Sequence, residues 1–160
     1  MPIHNLANYR CRGARALVLL HEKALRALLP VWRRAKAADV QLPRTKDPNY
    51  ASLESLLHHA LGAARGYMTW LCENLGLPDP GIDPAPEASS VEQAAERYIE
   101  HLVGRWRLPL ADVEEARLEA IHKTRWGEEM SLEGMLEHAV VHPMRHRFQL
   151  EELLEAQGKA

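Results

Sequence analysis

Residues 131–154 read SLEGMLEHAVVHPMRHRFQLEELL, and the spacing inside this stretch decides the fold. Leu132, Met135, Ala139, His142, His146, Leu150 and Leu153 recur at three- and four-residue steps, the period of a helix with one buried face. Ser131 stands where a side-chain oxygen can cap the first turn. His138, His142 and His146 fall at i, i+4 and i+8. At about 100° per residue they span about 80° of the helix, an arc shared with Met135, Gln149 and Leu153. The three imidazoles therefore point with the apolar stripe, toward whatever this helix packs against.

Working upstream, the same rhythm appears three more times. Residues 50–75 carry Leu53, Leu56, Leu57, Ala60, Ala64, Met68 and Leu71 at helical spacing, ended by Gly76 and Pro78. Residues 9–37 carry Leu17, Leu20, Ala24, Leu25, Leu28 and Leu29, with Pro30 expected to kink or divide the last turns. A third helix is expected after Ser89, where Ser89 and Glu92 have the form of a capping box, running to about Trp106 before Pro109. Within residues 110–130, Asp112 to Ala116 could make a helical turn while Arg117 to Trp126 shows no stripe of either period, so the stretch reads as an irregular connection, and no segment reads as a strand. The expectation is an all-α four-helix bundle, a single domain over residues 1–160, with a long irregular connection between helices three and four that permits crossover topologies.

Composition narrows the function classes. The 160 residues are 46% apolar and 26% charged, enough to build a packed core and too apolar for a disordered chain. A formal charge of −2 supplies no excess of cations for a phosphate backbone, so nucleic acid is not the expected partner. The basic cluster Trp32, Arg33, Arg34 and Lys36 sits where a helix C-terminus is expected, where cations interact favourably with the dipole. The longest apolar run, residues 16–20, is far short of the roughly 20 residues of a membrane span, and no signal-peptide pattern precedes it. A cytoplasmic protein without a membrane partner is expected. Cys11 and Cys72 are too few for a disulfide framework and read as ordinary thiols of a reducing compartment.

Nine histidines are the chemical surplus. Two imidazoles one turn apart can each place a nitrogen about 2.0–2.1 Å from one transition-metal ion. In a bundle the third ligand comes from a facing helix, and the second helix offers the doublet His58 and His59. Both lie on flanks of its stripe, so periodicity leaves the choice open. Three neutral imidazoles would leave positions free, a Lewis-acid site rather than a closed structural one. A di-iron bundle requires paired Glu-x-x-His motifs, and Glu119 with His122 alone has that spacing. His4, His21, His101 and His122 lack a partner at ligand spacing.

The tail GEEMSLEGMLEHAVVHPMRHRFQLEEL and the segment SLESLLHHALGAARGYMTWL together resemble the last and second helices of the DinB/YfiT-like family of metal-binding four-helix bundles. Aligning the small residues Gly62, Ala63 and Ala64 puts His59, not His58, at the family's first ligand position. The resemblance implies that His59, His142 and His146 hold a divalent ion, zinc or nickel, with His138 a neighbouring group. Phe148 stands where the family has glycine, and Pro143 follows His142 directly. What the family implies is a metal-dependent enzyme of stress response or detoxification acting on a small molecule. It would be a transferase with a low-molecular-weight thiol as co-substrate, or a hydrolase. The alternatives are a non-catalytic metal-binding stress protein and a structural homodimer. Such bundles pair through helix faces, and Trp32, Trp70 and Trp106 are expected on that surface.

Overall fold

The computed structural model describes residues 6–159, which leaves His4 outside the described residues. Four long helices dominate it: α1 (Arg12–Ala37), α2 (Leu53–Leu75), α3 (Val91–Trp106) and α5 (Leu132–Ala156). A single-turn helix, α4 (Glu115–Leu118), and a two-stranded hairpin, β1 (Ile121–Lys123) with β2 (Glu129–Ser131), lie between α3 and α5. The protein is all-α apart from this hairpin.

The local signals explain where the long helices begin and end. Ser52 and Ser131 are N-caps whose side-chain oxygens accept from the Ser55 and Gly134 amides, each a contribution of about 1 kcal/mol. Gly76 closes α2 in the left-handed region at φ 66°, a conformation a side chain would strain. The Ser89–Glu92 box does not form. Ser90 is the N-cap of α3, and its side chain makes no capping hydrogen bond. Pro30 does not divide α1, which runs on to Ala37 with the proline exposed, so the freed carbonyl one turn back meets solvent instead of the core. Pro143 likewise lies inside a continuous α5, although it is buried.

α1 packs along α5, and α2 touches α5, α3 and α1, so that one apolar cluster runs through all four long helices. The tryptophans expected at a surface are inside it: Trp32, Trp70 and Trp106 are only 1%, 4% and 1% exposed. A buried indole N–H needs an acceptor, and each finds one. Trp32 Nε1 donates to the Leu53 carbonyl at 2.6 Å, Trp106 Nε1 to Ala64 at 3.1 Å and Trp70 Nε1 to Lys123 at 3.2 Å. Indole hydrogen bonds thus tie α1 to α2, α3 to α2, and α2 to the hairpin. The exposed large apolar groups are Leu20, Ile121, Trp126, Val141, Met144 and Phe148.

The region expected to be irregular contains strands. Ile121 pairs with Ser131, His122 with Met130 and Lys123 with Glu129, in antiparallel register. Its turn is closed by Thr124, whose amide donates to the Glu128 carbonyl at 2.7 Å and whose hydroxyl accepts from the Glu128 amide at 3.1 Å. Because Ser131 ends β2 and caps α5, the hairpin is anchored directly to the histidine-bearing helix. No helix of the described residues is long and apolar enough to cross a membrane.

Candidate metal centre

α2 and α5 meet where His59 faces His142 and His146. One ring nitrogen from each lies within 4.8 Å of the other two. His59 Nε2 is 3.0 Å and His146 Nε2 3.3 Å from His142 Nε2. Nitrogens bound at about 2.0–2.1 Å to a shared ion stand about 2.9–3.4 Å apart for bond angles between square and tetrahedral. Two of the three separations fall in this range and the third pair lies within 4.8 Å, so the three imidazoles could hold one transition-metal ion. The three rings meet edge to face, at 68° to 87°, so their nitrogens converge without stacking.

The protonation state fits as well. Burial pushes His142 down to about 2, helped by the neighbouring His146, His59 and His138 and by Arg145. Burial likewise lowers His146 to about 4, with His59 adding to it, while the hydrogen bond to Gln149 and the charge of Asp47 work in the opposite sense. His59 is lowered by burial, against a smaller opposing effect of Asp47. All three are neutral at pH 7, so a cation taken up there displaces no proton.

Tautomers matter next. His146 Nδ1 is 3.2 Å from the Gln149 side-chain oxygen, which also accepts from the Tyr50 hydroxyl at 3.2 Å. An amide oxygen only accepts, so Nδ1 carries the proton and the Nε2 lone pair points at the other two histidines. That is the form a ligand needs, fixed by the outer partner typical of metal-binding histidines. His142 differs, because its buried Nδ1 has no hydrogen-bond partner among the described residues. Among the described residues no carboxylate hydrogen-bonds to any of the three rings.

The doublet is resolved by the loop after α2. His58 turns away and its Nδ1 lies 2.7 Å from the Pro86 carbonyl, which pins the proline-rich segment. His138 does not join the triad; its ring centroid is 6.2 Å from that of His142, and it packs on Tyr67 at 5.2 Å and Trp126 at 5.4 Å. Of the remaining histidines, His101 accepts from the Asp83 amide at 3.0 Å, and His122 sits edge-on to Trp70. His21 is fully buried and stacked on Trp106 at 3.7 Å.

Sequence reasoning gave no role to Gln149, Tyr50, Tyr67, Trp126 or Arg145. Gln149 and Arg145 had a signal, lying three residues after His146 and His142. Trp126 had none, because its place depends on the hairpin. No family model matches the chain, and neither curated proteins nor solved structures give a match.

Proposed function

We propose that this chain is a metal-dependent enzyme of the DinB/YfiT-like kind, with His59, His142 and His146 as ligands of a zinc- or nickel-class ion. The observation that carries the reading is the convergence of three neutral Nε2 atoms, one of them oriented by Gln149, with no carboxylate among them. Such an ion keeps its full charge and would supply Lewis-acid stabilisation to an anionic nucleophile, a thiolate or a hydroxide, at neutral pH. A transferase using a low-molecular-weight thiol is the form we favour, because both cysteines, Cys11 and Cys72, are buried, and burial pushes the Cys72 thiol up to about 11. A nucleophilic sulfur would have to arrive on a second molecule.

The chain's own residues divide the remaining tasks. Gln149 holds the His146 proton on Nδ1, Tyr50 holds Gln149, and the apolar surroundings keep the imidazoles uncharged. One observation favours a non-catalytic metal protein instead: among the described residues no acidic side chain hydrogen-bonds to the triad to serve as a base. Zinc- and nickel-loaded protein, assayed with glutathione and cysteine against monobromobimane and with activated esters, separates the two. Turnover lost in His142→Ala supports the enzyme. Absence of turnover, with chelation lowering only the melting temperature, leaves the binding protein.

A further inference from the structure

Beside the triad lies a group of rings that neither the core nor the proposed ligand set requires. Tyr67 on α2 stands edge-on to His142 at 5.7 Å, to His138 at 5.2 Å and to Trp126 at 6.5 Å. Trp126 and His138 lie 5.4 Å apart and only 33° from parallel. The three rings form a continuous wall that begins at a proposed ligand and ends at Trp126, which is 48% exposed. A half-exposed indole costs free energy in water, and here the hairpin turn holds it in place. Its Nε1 donates to the Glu128 carboxylate at 3.2 Å, which fixes the ring while leaving about half of it in solvent.

The charge beside this wall is equally specific. His138, His142 and Arg145 fall at i, i+4 and i+7 on α5, one face of the helix. Arg145 is exposed, and among the described residues it has no carboxylate partner, unlike Arg125 on the hairpin or Arg147 on α5. Its positive charge is felt at Tyr67, His138, His142 and His146 alike. Glu128 opposes it at His138 alone. An unpaired guanidinium next to an aromatic surface is suited to a carboxylate attached to a flat apolar body: the fork binds the anion and the rings cover the rest.

We infer that the surface formed by Trp126, His138 and Arg145, backed by the buried Tyr67, binds a planar, apolar small molecule carrying a carboxylate, its rings against Trp126 and its anion on Arg145. This names the acceptor class of the proposed enzyme and rests on that reading for its place in a reaction, while binding itself requires no metal. The test is calorimetric titration of the full chain with 2-naphthoate and with uncharged 2-naphthylmethanol, in chelator and again with zinc. In chelator, naphthoate binds saturably and about tenfold more tightly than the alcohol, as expected for one exposed charge-assisted contact. Trp126→Ala weakens both probes. Arg145→Gln brings naphthoate down to the affinity of the alcohol, and Arg145→Lys restores part of the difference. Both side chains are exposed, so the variants keep the fold, and Trp126→Ala keeps its zinc affinity within about twofold of the parent. Equal affinity for the two probes, or unchanged naphthoate binding in either Trp126→Ala or Arg145→Gln, overturns the inference. If this pattern holds in a chain that binds no zinc, the carboxylate site stands and the metal reading falls.

Discussion

Replacing Gln149 with leucine should weaken metal binding without touching a proposed ligand. In the folded chain the Gln149 oxygen is the acceptor for His146 Nδ1 at 3.2 Å, and His146 is only 6% exposed. A leucine of similar size removes the acceptor. The ligand tautomer then carries a buried N–H with no partner, a penalty of about 1–3 kcal/mol. Taking about 2 kcal/mol, zinc affinity should fall about thirtyfold, inside the range typical of lost outer partners. Gln149→Glu keeps an acceptor at the same reach and should bind zinc at least as well as the parent. Tyr50→Phe leaves the oxygen free for His146 and should change affinity by less than about threefold. Competition against a chromophoric chelator at pH 7.5 reads all four proteins. An unchanged affinity in Gln149→Leu, or a Gln149→Glu as weak as the leucine variant, refutes the assignment of His146 as an oriented ligand.

Two further expectations concern the other histidines. His21 has both ring nitrogens without a partner among the described residues, and burial holds its pKa down at about 3. Below about pH 6.5 the unfolded chain takes up a proton there that the folded chain refuses, so stability falls by about 1.4 kcal/mol per pH unit until the folded value is reached. Urea unfolding should therefore show about 2 kcal/mol lost between pH 8 and pH 5 through this residue, and His21→Phe should lose correspondingly less; equal losses in parent and variant contradict it. His58→Ala should retain metal, at some cost in stability from the freed Pro86 carbonyl, whereas His59→Ala should lose it. The reverse pattern after gel filtration overturns the choice within the doublet.

The long helices were legible because each carries a stripe that the core uses, and because Ser131 and Gly76 act locally as cap and stop. The strands were not, since three residues leave no period to read, and what holds them is the Thr124 turn and pairing across it. The tryptophans misled in the other direction. The helix-face reading puts Trp32, Trp70 and Trp106 on a surface, yet each buries its ring and satisfies its one donor on a distant carbonyl. Within the site, His142 and His146 declared themselves by spacing along one helix. The choice of His59 over His58 depends on a loop contact 28 residues away, which periodicity on α2 does not contain. Gln149 lay on the same arc as the histidines, but the Tyr50 hydroxyl that completes its role comes from the turn before α2.

The central claim is that His59, His142 and His146 together hold one divalent ion, and elemental analysis after loading and gel filtration tests it most directly. The parent should carry about one zinc or nickel ion per chain, and His59→Ala, His142→Ala and His146→Ala should each carry essentially none while remaining folded by circular dichroism. A parent that comes off the column empty, or folded single variants that keep the ion in full, would contradict it.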